Sequence, residues 1–286
     1  MVSKKNSVDS KKIGFNRASR TDKGVHALLN LFSAKVMMDM KRPLEDYVTD
    51  INSNLPDSIR VFSLHRTSKT FSGRKFASHR AYDYYIPTFL FSPKSEVAFS
   101  IEDKPDPEQE SEENKTVFSR MNIERSSLKD IYKYRIDDES LLKVQTLIRM
   151  FEGNNKYHNY TSKMKASDAK SYRYILKAKA YEKSVHNGIE YLRLTFKGQS
   201  FLYNQIRRMV GILYLVMHYE LPDHVIKESM TSYQFHIPLA PAEGLMLNRV
   251  YTDHYNQKEG IWDVIEPWES KKQEIHDFRI NIVNHI

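Results

Sequence analysis

The sequence predicts an α+β fold in which helices pack on a mostly antiparallel sheet. Three observations carry this: apolar and polar residues alternate on either side of an Asn187-Gly188 step, apolar stripes recur at helical spacing, and the two patterns interleave along the chain. Taken in order, Leu29, Leu31, Phe32, Val36 and Met37 suggest a strand. Leu44 to Ile51 suggests a short helix closed by Asn54-Leu55-Pro56, and Ile59–Leu64 and Tyr82–Phe89 read as strands. Leu141, Val144, Leu147, Ile148 and Phe151 fall on one helical face, with Asp137 and Asp138 near its start and Gly153 just past its end. Tyr172, Tyr174, Leu176, Ala178 and Ala180 alternate with basic residues, and Leu192, Leu194 and Phe196 alternate again beyond the Asn-Gly turn, so a hairpin is expected. Leu202, Ile206, Met209, Leu213 and Val216 step by four and three along a buried helix. A short helix over 223–231 and a strand over 244–251 complete the pattern.

Composition narrows the chemistry. The 286 residues contain no cysteine, which excludes disulfide scaffolds, thiol nucleophiles and cysteine-ligated metals. Forty-four Lys and Arg against 36 Asp and Glu give a net charge of +8, which favours a polyanionic partner such as nucleic acid. The charge is uneven. Residues 101–114, IEDKPDPEQESEEN, hold seven acids and one Lys, so −6 sits there and +14 elsewhere. Such a segment buries too little apolar area to offset its ordering entropy, and a disordered insert is expected over 93–135. It separates an N-terminal lobe, 1–92, from a C-terminal lobe, 136–266, followed by a loose charged tail, 267–286. There is no run of 18 apolar residues and no apolar segment behind the charged N-terminus, so the expectation is a soluble, unsecreted protein without a membrane partner.

The chain has no GxxxxGKS/T, GxGxxG, GxSxG or HExxH, and its eleven histidines show no metal spacing. One segment stands out: Arg20-Thr21-Asp22-Lys23-Gly24-Val25-His26. It reads as a turn whose Gly takes a positive φ. It also places Arg20 two residues from Asp22, where a guanidinium within about 4–6 Å would keep a carboxylate ionised and oriented as a nucleophile. A second feature is Arg207-Arg208 on the apolar helix. Either one of them points inward and needs an acidic partner, or both extend their heads to solvent.

These residues resemble the TruA family of pseudouridine synthases, and its eukaryotic branch in particular. The likeness begins at the Arg-Thr-Asp run and continues in order. It takes in Asn52-Ser-Asn-Leu-Pro56, Arg80-Ala-Tyr82-Asp-Tyr84, Phe151-Glu-Gly153 with Tyr157–Tyr160, Gly198-Gln-Ser-Phe201 through Gln205-Ile-Arg207-Arg-Met-Val-Gly211, and Ala240-Pro241-Ala-Glu-Gly244-Leu245. Six motifs in order are far more specific than one.

The resemblance implies a two-lobed pseudouridine-synthase fold with an RNA-binding cleft, and a tRNA uridine isomerase that needs no cofactor and no metal. Asp22 would be the nucleophile, at C1′ of the ribose or C6 of the ring. Arg20 would pair with it and help hold the flipped nucleotide, and Arg207 would be its second basic partner. Tyr82 would stack on the target base, with Tyr84 as rival and a core aromatic as the plain alternative; Leu245 would line the uracil pocket. Lys23, Arg74, Lys75, Arg80 and Lys163 are candidates for phosphate contacts, though each singly also reads as a solvated charge.

The partner would be tRNA, with mRNA or snRNA as further substrates. The chain would be a monomer, a homodimer being the alternative, in the nucleus or mitochondrion, with the cytoplasm as the third compartment. The family's chains carry a Tyr-x-Gly strand, a Gly-x-Gln region and a helix before the Arg-Thr-Asp motif, whereas about a dozen polar residues precede Gly14 here. The N-terminal lobe is therefore expected to be truncated, with an uncovered sheet face and an open edge. A second reading follows: an RNA-binding relative that cannot align Asp22 and serves as a tRNA-binding or folding factor.

Overall fold

A computed structural model describes residues 12–93, 100–101, 121–122, 128–162, 164–257, 263–266 and 269–286. Its main elements, in chain order, are β1 (His26–Ala27), α1 (Leu44–Asn52), β2 (His79–Pro87), α2 (Asp138–Arg149), β3 (Gly153–Lys156), β4 (Tyr172–His186), β5 (Ile189–Gly198), α3 (Gln205–His218), β6 (Leu245–Tyr251) and α4 (Lys272–Val283). They form two compact units, one of Met1–Thr21, Ala27–His79 and Leu247–His285, the other of Asp22–His26 and Arg80–Met246. Among the described residues no helix is long and apolar enough to cross a membrane.

The second unit is built on antiparallel strands in the order β2-β5-β4-β3. β4 and β5 meet at Asn187-Gly188, both at positive φ, 50° and 84°. Two residues at positive φ are what a two-residue hairpin turn requires. Leu192, Leu194 and Phe196 are fully buried, as their alternation predicts. Helix α2 packs on β4 and on α3. It starts at the Asp137 cap, whose carboxylate accepts the Ser140 N–H at 2.7 Å, satisfying a donor that the first helical turn would leave unpaired. Helix α3 carries Ile206, Met209, Val210, Leu213 and Val216 inward. Edge-to-face ring pairs close the core: the ring centroids lie 5.9 Å apart for Phe151 and Tyr160, 6.4 Å for Phe151 and Phe196, and 5.2 Å for Tyr157 and Tyr160.

A bulge changes one expectation. The register of β4 against β5 slips between Ile175 and Lys177, where an extra residue interrupts the two-residue alternation. Beyond the slip Ala178 and Ala180 face the core, but before it Ile175 does, and Tyr172, Tyr174 and Leu176 are turned outward. The five-residue stripe read from the sequence is therefore two stripes on opposite faces.

The first unit uses shorter pieces. Asn16–Arg17 pairs antiparallel with Phe32–Ser33, and that is all that forms of the strand expected over Leu29–Met37, where Val36 and Met37 stay exposed. No strand forms over Ile59–Leu64. The backbone of Val61 is occupied instead by the Asn52 side chain, which accepts its N–H and donates to its carbonyl, each at 2.9 Å, a local competitor to ladder pairing. The tail expected to be loose forms α4. Ile275 and Val283 are buried and Phe278 meets Phe62 edge to face at 5.8 Å. That apolar stripe is too sparse to stand out in a charged sequence.

Much of the expected insert 93–135 lies outside the described residues. Within its described part Ser100–Ile101 pairs with Met121–Asn122, and Leu128–Lys133 is helical with Ile131 buried. Ile131, with Ile136 just beyond, supplies the buried apolar area that 101–114 lacks, so this end of the segment folds.

Candidate active site

Asp22, Lys23 and Gly24 form the turn that the sequence implies: the Val25 N–H donates to the Asp22 carbonyl at 3.1 Å, and Gly24 has a φ of 82°. Asp22 and Lys23 are exposed. A Cβ at Gly24 would lie 3.1 Å from the Ala242 Cβ and 3.5 Å from a Glu243 carboxylate oxygen, so the turn rests on the loop that leads into β6.

That loop is fastened to α3. The Arg207 Nε donates to the Ala240 carbonyl at 2.6 Å, and the Arg207 carbonyl accepts the Ala240 N–H at 3.3 Å. Arg208 donates to the Ile237 carbonyl. Gly211 allows Pro238 to approach so closely that no side chain would fit between them. Further on, the Leu245 N–H closes a turn on the Ala242 carbonyl at 3.0 Å, and the Tyr85 N–H donates to the Gly244 carbonyl at 2.9 Å. Gly244 must be glycine, since a Cβ would sit 2.8 Å from the Tyr85 carbonyl oxygen and 2.9 Å from the Tyr84 ring.

The sequence left open whether the paired arginines turn inward. Arg207 does, at 8% exposure, and Arg208 is half-buried. The expected acidic partner is replaced by neutral acceptors: besides Ala240, Arg207 reaches the Asn204 side-chain oxygen at 3.4 Å. Burial pushes the Arg207 guanidinium below its ordinary value, while Tyr84, then Glu243, then Asp22 and Tyr203 oppose the shift. Asp22 thus lies within the field of Arg207, without a direct ion pair between them among the described residues. Burial likewise lowers Arg208, and the neighbouring Arg207 charge adds to it.

Tyr84 is 2% exposed, its hydroxyl donates to the Pro241 carbonyl at 3.0 Å, and burial drives its phenol well above the ordinary range against the pull of Arg207. Tyr82, two residues earlier, is 8% exposed and meets Phe201 edge to face at 5.3 Å. Leu245 is buried. Arg80 on β2 donates to the Gln199 carbonyl at 3.0 Å. Arg20 and Arg74 belong to the first unit and are exposed, as is Lys75; Lys163 lies outside the described residues. The structure therefore gathers Asp22, Arg207, Tyr84 and Leu245 around the 240–245 loop.

Two participants were missed by sequence reasoning. Glu243 stands within one of the ordered motifs, where its sequence neighbours do not mark it as a second carboxylate beside Asp22. Asn204, which opens α3 at a φ of 62°, gave one available signal: asparagine is among the few residues that accept a left-handed backbone.

Helices flanking a central, mostly antiparallel sheet form the architecture of a pseudouridine synthase. Residues 147–253 match the family described as tRNA pseudouridine synthase. The chain is 31% identical to the human pseudouridylate synthase 1 homolog over 95% of its own length and 56% of that protein's. It is 32% identical to a Schizosaccharomyces pombe protein of the tRNA pseudouridine synthase class, over 96% of this chain and 67% of that one. With tRNA pseudouridine synthase 1 of Candida albicans the identity is 29%, over 99% and 55%. The chain belongs to the tRNA pseudouridine synthase family. It spans little more than half the length of the human and Candida relatives.

Proposed function

We propose that this chain isomerises uridines of tRNA to pseudouridine, with Asp22 as the nucleophile. The observation that carries the reading is the exposed Asp22 carboxylate on a glycine turn, resting on the loop that a buried Arg207 anchors. The carboxylate adds to C1′ of the ribose or to C6 of the ring. By either course the N1–C1′ bond breaks, the base turns, a C5–C1′ bond forms and C5 loses its proton while N1 gains one, so the product is an isomer of the substrate. No oxidant, reductant or transferred group enters that balance.

Arg207 presents its positive charge to Asp22 and holds the loop carrying Leu245, which lines the uracil pocket. Tyr82 stacks on the base, and Arg20 helps hold the flipped nucleotide. Unstacking the base costs a few kcal/mol, which Lys23, Arg74 and Arg80 offset through phosphate contacts. Other RNAs are further substrates to be tried in the same assay.

The test is to incubate the chain with unmodified tRNA and map pseudouridine by carbodiimide primer-extension stops, with Asp22→Asn in parallel. Wild type should give stops and Asp22→Asn none, a loss of at least about a thousandfold, as expected when a nucleophile is removed. Stops that persist in Asp22→Asn remove it as nucleophile. tRNA binding without stops in wild type favours the folding-factor reading.

A further inference from the structure

The slip in β4 turns three large apolar side chains toward solvent in consecutive outward positions: Tyr172 at 48% exposure, Tyr174 at 47% and Leu176 at 37%. Singly exposed apolar residues are ordinary, but a contiguous row on one strand is not. Residues two apart on a strand stand about 7 Å from each other on the same face. Across the ladder, Asn154 faces Tyr174 and Lys156 faces Tyr172, and the Lys156 ammonium lies 6.0 Å from the Tyr172 ring centre.

The charges around this row are mainly basic, although the Glu152 carboxylate accepts the Ala178 N–H at 2.9 Å nearby. Residues 169–181, AKSYRYILKAKAY, hold Lys170, Arg173, Lys177 and Lys179 and no acid, and over 153–198 eight lysines and two arginines stand against three acids, a net +7. Lys170 and Lys177 are exposed. Arg173 is bent back onto its own backbone, donating to the Lys170 and Tyr172 carbonyls at 2.6 Å each, and so braces the strand rather than reaching outward.

We infer that Tyr172, Tyr174 and Leu176 on the outward face of β4 form a stacking platform for unpaired bases of the RNA substrate. The inference rests on the proposed function in taking RNA as occupant, and charge selects that occupant independently. Protein interfaces share the aromatic enrichment but are depleted in lysine, whereas exposed rings set among lysines match the way single-stranded nucleic acid is held. Stacking accepts any base, so the platform adds affinity and orients a neighbouring unpaired stretch without choosing the sequence. The arrangement follows the general logic of base recognition on an open sheet face.

The experiment compares wild type, Tyr172→Ala/Tyr174→Ala, Tyr172→Phe/Tyr174→Phe and the control Val185→Ala, an exposed position on the same strand. Binding of a fluorescein-labelled oligouridine and of unmodified tRNA is read by anisotropy. The double alanine variant should bind the oligouridine about tenfold more weakly or worse, while the phenylalanine pair and Val185→Ala stay within about twofold of wild type. Unchanged binding by the alanine pair overturns the platform, and so does an equal loss in the phenylalanine pair, which would point to the hydroxyls. Mapping pseudouridine on tRNA incubated with wild type and with the alanine pair separates the two readings. Binding that depends on Tyr172 and Tyr174 without isomerisation keeps the platform and removes the enzyme, whereas isomerisation and binding both unaffected by the alanine pair do the reverse.

Discussion

The two compact units hold themselves together in different ways. The second relies on long regular elements, β4, β5 and α3, which bury Leu192, Leu194, Phe196, Met209 and Leu213 without exposure. The first relies on side chains that substitute for ladders: Asn52 serves the backbone of Val61, the Asp263 carboxylate accepts the Arg66 N–H at 2.8 Å, and Asp253 gathers Ser78 and His79 at 3.0 Å. Exposed apolar side chains do not separate the two, since the first leaves Phe15, Phe32, Met37, Met40 and Ile59 exposed and the second Tyr172, Tyr174 and Leu176. Regular structure follows where a sequence can bury one continuous face, and bracing by individual polar side chains takes over where it cannot.

The largest contrast should come from core truncation. Leu194 in β5 is fully buried, and Met37 is 76% exposed. Leu194→Ala should therefore cost about 3 kcal/mol, whereas Met37→Ala should change stability by about 0.5 kcal/mol or less. Thermal melts of the two variants measure this, and equal losses would erase the distinction between the units.

Glycine substitutions sharpen it. Gly211→Ala drives a methyl group into the Pro238 carbonyl. That overlap should cost about 2–3 kcal/mol while loosening the 237–245 loop. A Cβ at Gly14 meets nothing within 4 Å, and the residue has a φ of 59°. Gly14→Ala therefore bears only backbone strain, about 1 kcal/mol. Denaturant midpoints report both, and protease sensitivity near 240 should rise for Gly211→Ala alone.

The smallest expected effect is local to α2. Hydrogen bonds from the Ser140 N–H and hydroxyl hold the Asp137 carboxyl below the usual carboxylate range. A carboxyl lowered in the folded state contributes above its unfolded value, about 3.9, and that contribution is lost as pH falls through the folded value. Asp137→Ala should therefore cost about 1 kcal/mol at neutral pH, and the gap to wild type should narrow as the pH is taken below about 4. A gap that stays constant from neutral pH down to about 3 would remove the charged cap as its source.

Much of the second unit could be read directly, because Leu192, Leu194, Phe196 and the stripe from Ile206 to Val216 bury themselves at the period of their element. The Asp22 turn was legible through Gly24, whereas the apolar run around Arg207 and Arg208 left open which of them, if either, turns inward. Tyr172 to Leu176 misled because a one-residue slip reverses facing without leaving a mark in composition. Ile59–Leu64 misled because its apolar pattern says nothing about whether a neighbouring backbone is free to pair.

The hairpin, the buried helices of the second unit and the ordered motifs of the family could be read from the sequence alone, since these depend on residues near one another along the chain. It took tertiary packing to give Arg207's hydrogen bond to the Ala240 carbonyl in place of an acid, to bring Glu243 with Asp22 into its field, and to turn two tyrosines to solvent. Those outcomes turn on which backbone groups lie across a loop or a bulge, and that is settled by packing between segments far apart in sequence.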